Sequence, residues 1–143
     1  MKNPSRMATN NFKKIKSGAE WETKVAYSRA VIAGNHIYVS GTTAIGENGE
    51  IIGIGDMYAQ SRQCIKNIEK ALEKAGASLK DVVRTRAFIT NIDEWKAFAK
   101  AHKEFFEGID PAASLLEVSR IIHPELLIEI EADAVLKNNK NQL

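Results

Sequence analysis

Apolar and polar positions along the chain change their period several times, and each change marks an element. Ala30-Val-Ile-Ala-Gly-Asn-His-Ile-Tyr-Val-Ser-Gly41 carries two β-rich runs on either side of Gly34-Asn35, a pair that tolerates positive φ in a tight turn, so a hairpin is expected. Its second run alternates, with His36, Tyr38 and Ser40 on one side and Ile37, Val39 and Gly41 on the other. Gly46-Glu-Asn-Gly49 reads as a turn and Ile51-Ile-Gly-Ile-Gly as a loop or short extended piece. From Met57 the period becomes helical. Met57, Ser61, Cys64, Ile65, Ile68, Ala71, Leu72 and Ala75 fall on one face, Asp56 stands at the capping position and Gly76 at the stop.

Period two returns in Asp81-Val-Val-Arg-Thr-Arg-Ala-Phe-Ile-Thr90, with Val83, Thr85, Ala87 and Ile89 on one face and Arg84, Arg86 and Phe88 on the other. A second helix, capped by Asn91 or Asp93, is expected to turn Trp95, Phe98, Ala101, His102 and Phe105 inward and to end by Gly108 and Pro111. Two further strands are expected over 114–121 and 127–135. In the last, Ile128, Ile130, Ala132 and Ala134 share one face and Glu129, Glu131, Asp133 and Val135 the other. Phe12 to Ile15 is a candidate first strand. Two helices can cover one face of such a sheet. The other face mixes apolar residues with Arg84, Arg86, Glu117, Glu129 and Glu131, which is poor solvent surface and poor core, so burial between identical subunits is expected.

Composition sharpens this only slightly. A chain of 143 residues with 44% hydrophobic and 27% charged residues can build one core. The division expected is a polar arm over 1–11, a single domain over 12–137 and a polar tail over 138–143. A net charge of +2 and the lack of a basic-aromatic stripe argue against nucleic acid as a partner. The polar start without an apolar centre, the absence of a long apolar run and the single cysteine make cytoplasmic, with no membrane partner, the expected location.

Several segments resemble the Rid (YjgF-type, RidA-like) enamine/imine deaminase family. Ala26-Tyr-Ser-Arg-Ala-Val31 resembles its proline-tyrosine-serine-glutamine-alanine segment, and Ile37-Tyr-Val-Ser-Gly41 its hairpin strand. Val82 to Asn91 resembles the strand leading into its second helix. Pro111-Ala-Ala-Ser-Leu-Leu-Glu-Val-Ser-Arg120 and Ile128-Glu-Ile-Glu-Ala132 resemble its C-terminal signature. The resemblance implies an α+β, chorismate-mutase-like mixed sheet with two helices on one face. It implies a homotrimer with a central barrel and a small-molecule ligand site at each subunit interface. Active members hydrolyse reactive 2-enamine or 2-imine acids to 2-keto acids and ammonia, with no metal and no organic cofactor.

Residue by residue, Glu129 matches the glutamate that orients the attacking water, a task that suits a carboxylate; a structural ion pair is the competing role. Tyr27 matches a tyrosine that walls the pocket, or it fills a loop. Ser40 and Gly41 match the backbone edge of the cleft, or they simply end a strand. Ala113, followed by Ser114, stands where the family segment has the arginine that grips the substrate carboxylate with a bidentate fork. A methyl group cannot make that contact, so an altered, less acidic or uncharged substrate is expected. A non-catalytic binding or protein-interaction trimer is the alternative, and an endoribonuclease a third. Arg120 matches a separate arginine of the signature and is not taken as a substitute. Arg84 and Arg86 either reach a cleft or pair with Glu117, Glu129 or Glu131. Leu115 and Leu116 make their stretch more apolar, and Trp21 either covers a cleft or anchors at the surface. Cys64 is expected in the core rather than as a nucleophile, and His36, His102 and His123 show no metal-ligand spacing.

Overall fold

The computed structural model describes residues 12–137. The expected arm over 1–11 and tail over 138–143 lie outside the described residues. In chain order the elements are β1 (Lys13–Ile15), α1 (Glu20–Val25), β2 (Ala30–Ala33), β3 (His36–Thr42), α2 (Met57–Lys74), β4 (Val82–Ile89), α3 (Trp95–Phe106), β5 (Ala112–Glu117) and β6 (Ile128–Val135). The strands form one six-stranded sheet in the order β1-β2-β3-β6-β4-β5. β4 and β5 run parallel, joined through α3, and every other neighbouring pair is antiparallel.

Both long helices lie on one face, as the two apolar stripes require. The carboxylate of Asp56 accepts from the Ala59 amide at 3.0 Å and starts α2. Its stripe is buried throughout, with Cys64, Ile65, Ile68 and Leu72 at 0% exposure against the alternate residues Ile128, Ile130, Ala132 and Ala134 of β6. Each such Ile or Leu contributes about 1.5–3 kcal/mol. Gly76, at φ +83°, takes the left-handed conformation that ends the helix. Among the described residues no helix is long and apolar enough to cross a membrane.

The sheet departs from strict alternation at two bulges, and each changes an expected face. In β4 the register against β6 shifts between Val82 and Arg84. Val82 therefore takes the inward place expected of Val83, which is 48% exposed. In β3 the register shifts between Val39 and Thr42, so Thr42, not Gly41, continues the core face. β5 ends at Glu117 instead of reaching Ile121. Its last tie to β4 is the Val118 amide donating to the Ile89 carbonyl at 2.8 Å, and Pro124 further on has no N–H to give. Glu117 sits in register with the buried Ile89, hence on the helix side, where it accepts from the Ile92 amide at 2.9 Å. It is not part of the open face.

Asn91 caps a single turn of 3-10 helix that precedes α3, accepting from the Asp93 amide at 3.0 Å. The packed stripe of α3 starts at Phe98 and ends on Phe106. Trp95, expected inward, is the first helical residue and stays 49% exposed beneath Lys96. The short α1 has no counterpart in the periodicity reading, because six residues are too few to show an apolar stripe.

Candidate functional site

The open face of the sheet is organised around the start of β2. Just before it, the buried Glu22 carboxylate accepts from the amide and hydroxyl of Ser17 and pins the segment ahead of α1. The Glu22 carbonyl accepts from the Tyr27 amide at 2.9 Å, and the chain reverses through Ala26 at φ +67°. Proline, which stands at this position in the resembling segment, is locked near φ −65° and could not make that reversal, so the loop carrying Tyr27 has its own shape here. The Ser40 amide then donates to the Arg29 carbonyl at 3.0 Å, and the Ser40 hydroxyl to the Ser28 carbonyl at 2.6 Å. Tyr27, Ser28 and Arg29 are thereby laid against the bulge of β3.

At that bulge the chain meets β6. A Cβ built on Gly41 would lie 2.0 Å from Oε2 of Glu129, so the carboxylate occupies space that any side chain at 41 would take. The Arg29 guanidinium donates through Nη2 to the Gly41 carbonyl, and its carbon lies 5.9 Å from the centre of the Tyr27 ring. Tyr27, Arg29, Ser40, Gly41 and Glu129 thus form one continuous wall.

Glu129 is half-buried and has no hydrogen-bond donor and no ion-pair partner within 4.0 Å among the described residues. Burial pushes its carboxyl above the usual carboxylate range; Arg29 partly counters this and Glu131 adds to it. The cross-sheet pairing expected of the arginines falls elsewhere. Arg86 pairs with Glu131 at 3.1 Å and with Asp133 at 3.3 Å, whereas Arg84 makes no ion pair among the described residues. In front of Glu129 an open groove of about 740 Å³ is lined by Phe88, Val118, Arg120, Ile121, Ile122, Pro124 and Glu131. Arg120 therefore shares a groove with Glu129, across from the wall.

Ala113 and Ser114 are not brought to this wall. Register places Glu129 beside Phe88 and Phe88 beside Leu116, on the open face, while Ala113 is beside the inward-facing Thr85. Ala113 therefore points to the helix side of the edge strand, about 14 Å from Glu129 by strand spacing and rise. Ser114 lies on the open face beside Arg86. Within one chain the expected constellation is split in two.

Two polar anchors escaped the reading of the sequence. Gln60, fully buried, donates to the carbonyls of Gly53 at 3.2 Å and Glu125 at 2.8 Å and accepts from the Leu127 amide at 2.8 Å. Asn67, placed by the sequence on the outer side of α2, donates to the Thr43 and Ile45 carbonyls at 3.0 and 2.9 Å. Gln60 had a signal: it lies three residues after Met57 and four before Cys64, a polar residue within the apolar stripe. Cys64 is core, with its thiol pushed far up by burial and donating weakly to the Ile128 carbonyl. No group of three or more His, Cys, Asp or Glu among the described residues is arranged to hold a metal ion.

A mixed sheet with both long helices on one face, and an unpaired carboxylate wall on the other, defines an α+β domain of the chorismate-mutase-like class. The chain belongs to the Endoribonuclease L-PSP family, whose model matches residues 18–136, and so to the Rid or YjgF-type group that its segments resemble. A crystal structure from Mycobacterium tuberculosis, a member of the YjgF/YER057c/UK114 family, superposes with a TM-score of 0.80 at 43% identity, over 88% of this chain and all of that one. A RutC family protein of Pyrococcus abyssi is 39% identical over 76% of this chain and 84% of its own length. A protein of Acinetobacter baylyi named 3-aminoacrylate deaminase RutC is 34% identical over 76% of this chain and 85% of its own.

Proposed function

We propose that this protein hydrolyses a reactive enamine or imine metabolite at clefts between the subunits of a homotrimer, with a substrate class altered from that of the usual Rid deaminases. The observation that carries the reading is the Glu129 carboxylate itself. It fills the space that a side chain at Gly41 would take, is raised in pKa by burial, and among the described residues has no hydrogen bond and no ion pair within 4.0 Å. A structural ion pair, the competing role, is not formed among the described residues: Arg29 acts on Glu129 through space, with no cation within 4.0 Å. A carboxylate so placed can take a proton from water as the water oxygen attacks an imine carbon. The C=N electron pair moves to nitrogen, which takes that proton to give a carbinolamine; the carboxylate then carries the carbinol hydroxyl proton to the nitrogen, and the oxygen electron pair forms the C=O bond as the C–N bond breaks. The products are a carbonyl compound and ammonia. The deaminase named among the relatives supports the reaction type.

The split geometry supports a shared cleft. If Ala113 and Glu129 serve one site, they come from different copies, with the edge strand of one subunit facing the Glu129 wall of the next. Ala113 favours the second reading, a trimer that binds a metabolite or a partner protein without turning it over. The decisive assay is ammonia release from 2-iminopropanoate generated in place by an amino-acid oxidase. Wild type is expected to work little above background. Ala113→Arg supplies a charge-assisted fork and is expected to raise the rate at least about tenfold. The gain should vanish when Glu129→Gln is added. No gain from Ala113→Arg would favour the binding reading. Cleavage of labelled RNA that survives Glu129→Gln would mark a contaminant rather than the ribonuclease of the family's description.

A further inference from the structure

On the helix side of the sheet, a groove of about 570 Å³ runs between α3 and the residues that lead into β5. Phe98, His102, Phe106, Asp110 and Pro111 line it. None of them belongs to the Glu129 wall, and Thr85, on which His102 rests, faces the helices. The chain comes back under α3 by turning at Gly108 and at Asp110, with φ of +87° and +50°. The Ile109 and Asp110 amides both donate to the Phe106 carbonyl at 2.9 Å, which holds the turn and keeps Asp110 at the end of the helix. Aspartate is one of the few residues with a side chain that enters the left-handed region readily.

His102 is half-buried, with its ring 5.3 Å from that of Phe98 and 4.6 Å from that of Phe106. Its Nε2 lies 2.9 Å from the hydroxyl of Thr85, a residue 1% exposed whose hydroxyl has no other partner among the described residues. The hydroxyl hydrogen therefore goes to Nε2. Burial lowers the His102 pKa and keeps the ring neutral at pH 7, so its one proton sits on Nδ1. That nitrogen makes no hydrogen bond among the described residues and is open to the groove. The Asp110 carboxylate has no hydrogen bond and no ion pair among the described residues either. Lys103 and Glu107, also at the groove, face each other at 3.8 Å and largely cancel. One uncharged donor and one acceptor are thus left idle beside an aromatic floor.

We propose that this groove is a second ligand site, which takes an uncharged aromatic amide, with the amide oxygen accepting from His102 Nδ1 and the amide nitrogen donating to Asp110. The inference goes beyond the deaminase reading and does not rest on it. Chemistry selects the class. A carboxylate accepts from Nδ1 but brings no donor for Asp110 and is repelled by it. An ammonium suits Asp110 but has nothing to accept the Nδ1 proton, which stays idle. A primary amide presents acceptor and donor together in one plane, without charge. A single aromatic ring attached to it fits the volume and lies against the rings of Phe98, His102 and Phe106 and the apolar body of Pro111.

The test is titration of the ¹⁵N-labelled full chain with benzamide, with the benzoate anion and with the benzylamine cation, read at the backbone amides of His102 and Asp110. Benzamide is expected to shift both signals, to leave the Gly41 signal of the Glu129 wall in place, and to bind at least about tenfold more tightly than either charged analogue. Asp110→Gly keeps the left-handed turn and removes the acceptor. It is expected to weaken benzamide at least about fivefold and not to weaken benzoate. The pair Thr85→Val with His102→Phe replaces both members of the buried contact by apolar groups of like shape, so the fold is kept while the Nδ1 donor is lost. Benzamide should then bind no better than benzylamine. The site is overturned if benzamide shifts Gly41 instead of His102 and Asp110, shifts none of them, or shows no preference over the charged analogues. Benzamide binding that is unchanged in Asp110→Gly overturns it as well, whether or not the double variant folds.

Discussion

On the open face a residue with no side chain leaves room for one with a charge. A methyl group at 41 would collide with the end of the Glu129 side chain, which can swing away, and not with backbone. Gly41→Ala is therefore expected to cost less than about 1.5 kcal/mol in urea unfolding while displacing the carboxylate. In the Ala113→Arg background it should remove most of the gained deaminase rate. Loss of the fold on this change would show that Gly41 is needed for the backbone alone. Glu129 also leaves a mark on stability. Its folded pKa is raised, so the folded state binds the proton more tightly than the unfolded chain, and that stabilisation fades as pH rises through the folded pKa. The stability of Glu129→Gln relative to wild type should accordingly increase as pH rises from the ordinary carboxylate range through the raised folded value. A flat difference would mean that the carboxylate is fully hydrated.

At the scale of elements, α2 supports the sheet and also ties down the loops around the site. Gln60 fastens the segment before β6 through both Glu125 and Leu127, so the approach to Glu129 hangs on a helix residue one layer below. Gln60→Leu keeps the bulk and leaves three part-buried backbone groups without their partner. It is expected to destabilise by about 2–4 kcal/mol in urea unfolding and to speed amide exchange at Leu127. Unchanged exchange there would show that the segment holds itself. The elements themselves were largely legible in the sequence. A two-residue turn fixes a hairpin register, and an apolar stripe as long as that of α2 admits one reading. What was not legible follows from physics of shorter range. A bulge inserts one residue without a compositional mark, which is how Val83 and Gly41 were given the wrong face. A helix of six residues is held by contacts outside itself, such as that of its Glu22 with Ser17. Tyr27, Ser40, Gly41 and Glu129, singled out where this chain keeps the family's residues, lie together on one wall, whereas Ala113 lies apart from it within the chain. The place of Arg29 between Tyr27 and Gly41 was not legible, because the chain departs from the family there and the contact is made across the fold.

The whole molecule presents the problem that the mixed face raised at the start. Tyr38 and Leu116 are close to half exposed on the open face, Ile122 is 83% exposed at the groove, and the Arg86 ion pairs lie among them. A single copy leaves this face to water, and association in threes would bury it while bringing the edge strand of one subunit to the Glu129 wall of the next. Mixed assembly tests this most directly. Wild type has Glu129 but no arginine at 113, and the double variant Ala113→Arg, Glu129→Gln has the reverse, so each alone should release ammonia from 2-iminopropanoate only at background. Co-refolding the two should place an arginine at 113 of one subunit opposite Glu129 of another and produce a rate clearly above the sum of the separate proteins. A rate no greater than that sum, from material that sediments as a mixed oligomer, would contradict a site shared between chains.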